Sequence, residues 1–171
     1  DDGSFNMFIR IAFNNIGVAF KTFAGGFTLG LYTFLSMYFN GIMLGSFHHL
    51  FFSYGLGMES ILVVWIHGTI EISSIIIAGT AGFILGNGIL FPGTYSRKES
   101  FMRGAKDAAK ILISLIPFFI VAAFLESYIT RLMSNTYEKN NSGMPVWVSI
   151  LILLFSLALI IWYFVILPVR L

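Results

Sequence analysis

The feature that most constrains this chain is the apolar stretch ESILVVWIHGTIEISSIIIAGTAGFILGN at residues 59–87. As one helix, at about 1.5 Å per residue, it would be roughly 43 Å long, whereas a hydrocarbon core is about 30 Å thick. The segment is therefore expected to tilt, break or protrude from a membrane. Composition also indicates lipid as the solvent, because 57% of the 171 residues are hydrophobic and only 11% are charged.

Two ionisable residues interrupt this stretch. His67 and Glu71 are four positions apart, so a helix places them on one face. Ionisable groups in lipid are costly and usually mark function, so the pair predicts an intramembrane polar site. The alternative is that both side chains only hydrogen-bond neighbouring helices and fix their packing. Small residues continue the same face and favour close approach of another helix: Ser74, Ala78, Gly82 and Gly86.

We predict one all-α transmembrane domain over residues 1–171, a polytopic membrane helix bundle with about five spans and with broken or re-entrant helices. Its segments are an interfacial helix at 5–22, a helical hairpin at 23–54, the central helix at 59–90, an amphipathic then membrane helix at 97–133 and a last span at 145–168. We expect the hairpin to break at Asn40-Gly41, with two GxxxG packing seams at Gly26/Gly30 and Gly41/Gly45. Because the chain opens without Met, we expect it to be the C-terminal part of a longer protein.

A basic cluster predicts the orientation in the membrane. After the Pro92-Gly93 turn, Ser96 and Glu99 have the spacing of a capping box, which predicts a new helix. Five basic residues lie in its first turns: Arg97, Lys98, Arg103, Lys106 and Lys110. By the positive-inside rule this loop is cytoplasmic, the first residue is outside and the C-terminus is cytoplasmic. If residues 5–54 cross only once, the first residue moves inside.

Glu126 is a candidate third member of the polar site. At about 1.5 Å per residue it lies roughly 8 Å from the end of its helix at Arg131, and His67 lies roughly 12 Å from Glu59. Glu126 either reaches the outer interface or turns inward to meet His67 in the outer half of the bilayer. With Asn14, Asn15 and Asn40, these residues make up the predicted intramembrane polar site.

We expect neither an enzyme, nor a metal site, nor a cofactor. The chain has no Cys, and the adjacent His48 and His49 would face about 100° apart on a helix. HGTIE also differs from the metalloprotease motif HExxH, which places two His ligands on one face. A net charge of +2, with the basic residues in one loop, excludes nucleic acid as an expected partner.

Three stretches resemble the stage II sporulation protein M family in order and spacing over nearly the whole chain. They are NNIGVAFKTFAGGFTLG with the following FNGIMLG, IHGTIEISSIIIAGTAGFILG, and AAFLESYITR. Ile66 stands where the family often has Pro, and members usually begin with a cytoplasmic helical region and one further span. The family's pattern falls on Asn14, Asn15, Asn40, Gly41, His67, Gly68, Glu71, Gly79, Gly82 and Glu126.

The resemblance implies a non-enzymatic membrane scaffold or anchor in envelope or peptidoglycan remodelling. It also implies a multi-pass protein of the bacterial inner membrane, whose partners are cell-wall hydrolases such as stage II sporulation proteins D and P. Besides the lipid bilayer and these partners, the small-residue seams allow a homo-oligomer. The alternative is a transporter or channel for a small solute, lipid or proton, with His67 as its pH-sensitive member, because an unperturbed His titrates near neutrality.

Overall fold

The computed structural model describes residues 2–130 and 145–167, which form helices and short turns without a strand. The prediction of an all-α fold is therefore confirmed. The five helices are α1 at Asp2–Ala24, α2 at Leu31–Ser53, α3 at Gly57–Leu90, α4 at Arg97–Phe124 and α5 at Val146–Ile161. Two of them end in π-helical turns, α4 at Leu125–Thr130 and α5 at Trp162–Ile166.

Three helices in the described residues are long and apolar enough to cross a membrane, namely Gly57–Leu90, Arg97–Thr130 and Trp147–Ile166. Helices α1 and α2 do not reach that combination of length and hydropathy. The basic residues Arg10 and Lys21 of α1 are both exposed. The total of about five crossings, and the interfacial position of α1, stay predictions.

The predicted break at Asn40-Gly41 is wrong, because both residues lie inside the unbroken helix α2. The amide nitrogen of Asn40 donates to the Ser36 carbonyl at 2.7 Å, so the side chain is satisfied within its own helix. The chain turns earlier, in the short 3-10 helix Gly25–Thr28 and at Gly30, whose φ of +86° is a conformation that favours glycine. A helical hairpin does form, but around this turn.

Helix α3 is continuous over 34 residues and passes through His67-Gly68 without a break. Helix α4 begins as predicted, since Ser96 Oγ accepts the Glu99 backbone N–H at 3.3 Å. The Glu99 carboxylate does not complete the capping box and instead accepts a hydrogen bond from Arg103 Nε at 2.8 Å. All five residues of the basic cluster are exposed, which suits a solvated loop, and its cytoplasmic side stays a prediction.

Some predicted features lie outside the described residues. These are residues 131–133 at the end of the predicted segment 97–133, residue 168 at the end of the predicted last span, the polar loop before Pro145, and Arg170. The described part of the last helix begins directly after Pro145, which occupies the position before the first helical residue.

The chain forms two compact units, and the second contains Phe13–Ser46 and Ser74–Phe119. In this unit the glycines of the Gly25–Gly30 turn meet those of α3. A Cβ on Gly86 would lie 3.1 Å from the Gly30 nitrogen, and a Cβ on Gly26 would collide with the Gly82 carbonyl oxygen. Thr33 Oγ1 donates to the Thr22 carbonyl at 2.8 Å beside this contact. The predicted seam of α3 therefore packs within the chain.

The seam predicted at Gly41 and Gly45 differs from the one in α3. A Cβ at either position would meet nothing within 4 Å. Both glycines are exposed on α2. This GxxxG pair is therefore not used for packing among the described residues.

The contrast between the two seams predicts opposite effects of adding one methyl group. Gly82→Ala places a Cβ 2.6 Å from Thr33 Oγ1 and 2.7 Å from the Thr22 carbonyl oxygen. We expect a loss of about 1–3 kcal/mol in the free energy of unfolding, as for other overpacked cores. The added methyl group of the matched control Gly41→Ala meets no atom of the described residues, so this change should be neutral or stabilising by about 0.5–1 kcal/mol. Unfolding of the two purified variants in the same detergent measures both effects, and equal shifts would contradict the packing described here.

Candidate functional site

The first unit takes its described residues from Asp1–Ala12, Phe47–Ser73 and Ile120–Leu171. Its interior contains Ile66 and Ile70 of α3 and Ala122 and Ala123 of α4, all almost fully buried. Ile66 and Ile70 lie on one face of α3, and His67 and Glu71 each follow one of them in the chain, about 100° around the helix. Burial of the two isoleucines therefore fixes the direction in which His67 and Glu71 point. Helix α5 contributes the buried hydroxyls of Ser149 and Ser156 to the same unit.

His67, Glu71 and Glu126 come together in this unit. One potential ligand atom from each residue lies within 4.8 Å of the other two, and all three residues are half-buried. The spacing of four residues puts His67 and Glu71 on one face of α3, and Glu126 reaches them from α4. Of the two alternatives for Glu126, the structure therefore shows the inward one.

Glu126 lies in the π-helical end of α4, Leu125–Thr130. At this point Ser127 Oγ donates to the Ala123 carbonyl at 2.7 Å, a side-chain bond that competes with the backbone ladder and accompanies local widening. π-Helical turns are rare and are frequent at functional sites. The turn also brings Thr130 to the cluster, where its Oγ1 lies 3.1 Å from His67 Nδ1.

A cleft of about 720 Å³ adjoins the cluster. Its wall includes His67, Glu126 and Thr130, and a second carboxylate of the wall, Glu59, comes from the first turn of α3. The remaining wall is mostly apolar and comes from the end of α2 and the start of α3: Phe47, Phe51, Leu56, Ser60, Val63 and Val64. Polar groups thus converge at one part of an otherwise apolar cavity, the usual arrangement of a small-molecule or ion site.

The other histidines do not join the cluster. His48 Nε2 accepts a hydrogen bond from Trp65 Nε1 at 3.0 Å, which occupies that nitrogen and ties α2 to α3. His49 is exposed.

The three asparagines of the predicted polar site belong to the second unit. Asn14 is exposed, Asn40 is bonded to its own helix, and Asn15 is buried. The Asn15 amide nitrogen has no hydrogen-bond partner among the described residues. Their membership of the same site as His67 stays a prediction.

Sequence reasoning missed Thr130 and Glu59 as wall residues. The signal for Thr130 was its spacing of four residues from Glu126, the same spacing that joins His67 to Glu71. Glu59 was treated only as the start of the central helix. Neither residue could be connected to the cleft without knowing how α3 and α4 are aligned.

An imidazole and two carboxylates at this separation can bind a cation or share a proton. The two carboxylates repel each other when both are ionised, and partial burial strengthens that repulsion. The expectation of no metal site rested on spacings within single helices. The observed set combines α3 and α4 and contains three residues of metal-ligating type.

Comparison with known proteins places the chain in a family. The family profile described as stage II sporulation protein M matches residues 1–131, about three quarters of the chain. The chain belongs to the stage II sporulation protein M family. All three cluster residues fall in the matched range, and with three apolar helices the chain is a membrane protein of this family.

A curated relative of this family member comes from an archaeon. An uncharacterized protein of Methanocaldococcus jannaschii is 34% identical over 128 residues, which cover 72% of this chain and 70% of the relative. No solved structure matches the chain significantly. Because the relative is archaeal, a bacterial inner membrane stays a prediction.

The crowding of Glu71 and Glu126 predicts that the site costs stability. In the absence of added metal, Glu126→Gln removes one carboxylate from the cluster while keeping its shape. We expect the free energy of unfolding at neutral pH to rise by about 1 kcal/mol, as is common when a functional site is relaxed. Glu59→Gln, on the cleft wall outside the cluster, should change it little. A loss of several kcal/mol for Glu126→Gln would instead identify a structural network.

Proposed function

We propose that this membrane protein is a transporter or channel for a small cation, with His67, Glu71 and Glu126 as the binding site on its path. The observation that carries the proposal is the convergence of these three side chains beside a cleft of about 720 Å³. Ionisable groups inside membrane helices are costly, and they commonly mark ion or proton pathways. The proposal reverses the ranking implied by family resemblance, which favoured a scaffold.

The charges of the cleft support a cation as the solute. Glu59 and Glu126 line the wall, and Glu71 belongs to the adjoining cluster. A cleft that presents one sign of charge between apolar walls focuses the field and raises the local concentration of the opposite ion. No Lys or Arg side chain contributes to the described wall. An anionic solute would have to overcome this field.

The proposed activity includes no chemical step, so the protein is not an enzyme in this proposal. The solute exchanges its hydration shell for the carboxylates and the imidazole and then leaves. Such binding has to be reversible, and half-buried ligands beside an open cleft suit it better than a fully enclosed set. A proton is the simplest cation that the same groups can carry.

Ion uptake into proteoliposomes tests the proposal. The full chain is reconstituted into liposomes loaded with a pH-sensitive dye or with a dye sensitive to divalent metals, and an inward gradient of the corresponding ion is applied. We expect uptake several-fold above protein-free liposomes for at least one ion. Glu126→Gln and His67→Ala should return that uptake to background, because each removes a binding group.

The matched control is Asp107→Asn, which also removes one carboxylate from α4 but lies in the exposed N-terminal part, paired with Lys110 at 3.0 Å. Its uptake should equal that of the unmodified chain. The proposal would be wrong if the unmodified chain gave only background uptake with both dyes in liposomes shown to contain folded protein.

A second candidate function is the membrane scaffold, and the open GxxxG pair of α2 favours it. Because a Cβ at Gly41 or Gly45 would meet no atom of the described residues within 4 Å, another membrane helix can approach α2 closely there. By family resemblance that helix would belong to a cell-wall hydrolase complex or to a second copy of this chain. This role and transport are compatible, because they use different residues.

Thiol cross-linking tests the scaffold. The chain contains no Cys, so Gly45→Cys introduces a single thiol into the seam. We expect oxidation in native membranes to give a disulfide-linked species, either a dimer or an adduct with a hydrolase component. Gly17→Cys is the control, since Gly17 on α1 also meets no atom but lies outside the seam. Equal cross-linking at both positions, or none at Gly45→Cys, would count against an α2 docking surface.

A further inference from the structure

We infer that His67, Glu71 and Glu126 bind one divalent transition-metal cation of the Zn²⁺ or Mn²⁺ class. This rests on the proposed function for the role of the cation as the solute, whereas the binding itself can be tested without transport. The argument uses the ligand types, their separation, the charge balance and the residue that orients the imidazole.

The ligand types select the class of cation. One imidazole nitrogen with two carboxylate oxygens suits Zn²⁺, Mn²⁺, Fe²⁺ and Co²⁺. Softer ions such as Cu⁺ prefer thiolates, and the chain has no Cys. Ca²⁺ and Mg²⁺ prefer all-oxygen sites, so the imidazole disfavours them.

The separation of the three groups is close to that of a metal site. Two ligands that are each about 2.1 Å from one ion lie at most about 4.2 Å apart. The three potential ligand atoms already lie within 4.8 Å of one another. In a tetrahedral site the ligand atoms lie about 3.4 Å apart, so each pair has to approach by up to about 1.4 Å. We expect rotation of the two glutamate side chains to supply this approach.

Charge balance favours a divalent over a monovalent ion. Glu71 and Glu126 together carry a charge of −2 when ionised, and a divalent cation neutralises both in a half-buried position. A monovalent ion would neutralise only one of these two charges. The same ion would remove the repulsion that makes the metal-free cluster costly.

Thr130 provides an orienting partner. Its Oγ1 lies 3.1 Å from His67 Nδ1. If Nδ1 carries the proton and donates to the hydroxyl, Nε2 is unprotonated and available to the metal. Hydrogen bonds of this kind fix the tautomer and ring direction of metal-binding histidines in many proteins. Thr130 is therefore a positioning residue in this site.

The position of the cleft makes the site accessible. Three protein ligands leave at least one coordination position of a tetrahedral ion for water, as in open metal sites. His67 and Glu126 both line the cleft, so that position can exchange with it. Glu59, two helical turns before His67, adds negative charge along the approach.

Titration with Co²⁺ tests the inference directly, because Co²⁺ prefers the same ligands as Zn²⁺ and gives visible absorption when bound in tetrahedral sites. The full chain is purified with a histidine-free tag, stripped with a chelator and kept in lipid nanodiscs. We expect one Co²⁺ per chain, displaced by Zn²⁺. Affinity should fall at least about 100-fold in His67→Ala and Glu126→Gln, more than for loss of an orienting partner.

Two further variants separate metal ligation from loss of fold. Thr130→Val keeps the side-chain shape and removes the hydroxyl, so Co²⁺ affinity should fall about 10-fold with the absorption bands retained. His67→Cys replaces the imidazole by the only thiol in the chain. If position 67 is a ligand, this variant gains a near-ultraviolet thiolate-to-cobalt charge-transfer band. Glu59→Gln, which lies outside the cluster, should keep the stoichiometry.

Absence of Co²⁺ absorption at millimolar metal in the folded, unmodified chain would overturn the inference. So would a folded His67→Cys variant that binds Co²⁺ without the charge-transfer band, because position 67 would then not be a ligand. Proton uptake that depends on Glu126, without metal binding, would overturn the metal site and leave the proposed transport intact. Stoichiometric metal binding without uptake of any ion would support the metal site and count against transport.

Discussion

The cost of ionisable groups in lipid is the constraint on which the described first unit depends. Hydrocarbon supplies no hydrogen bonds, so a histidine and two glutamates on apolar helices must be satisfied by one another, by other protein groups or by a ligand. In this chain they converge from α3 and α4 on one side of a cleft. The π-helical end of α4 and the hydrogen bond between His67 and Thr130 are local adjustments around that convergence.

In the second unit the helices associate by close approach of their backbones. Burial of apolar side chains offers little here, because lipid is as apolar as the side chains themselves. Gly26 and Gly30 meet Gly82 and Gly86, and the Thr33 hydroxyl satisfies the Thr22 carbonyl beside them. Such contacts use dispersion and hydrogen bonding, because the hydrophobic effect offers little within a bilayer. The open pair on α2 has the same chemistry without a described partner, which is why it supports a docking role.

Family membership and site geometry contribute different information about function. Membership in the stage II sporulation protein M family establishes a membrane protein of that type, and the archaeal relative shows that the family extends to organisms outside the bacteria. Fold and family alone do not define an activity, whereas the chemistry of a site constrains it. The ligand types and charge of the cluster are the reason why we propose a cation as the solute and transport as the activity.

The sequence alone determined the properties that depend on local spacing: the membrane class, the helical fold, the shared face of His67 and Glu71 and the Ser96 cap of α4. Only the tertiary structure decided which residues from different helices meet, since helix periodicity carries no information about the alignment of two helices. His67 and Thr130 are 63 positions apart, and packing of the intervening chain brings them together. The same lack of alignment information explains why the sequence did not show which glycine seam is packed and which is open. The break expected at Asn40 lies instead at Gly30, where the backbone has a positive φ.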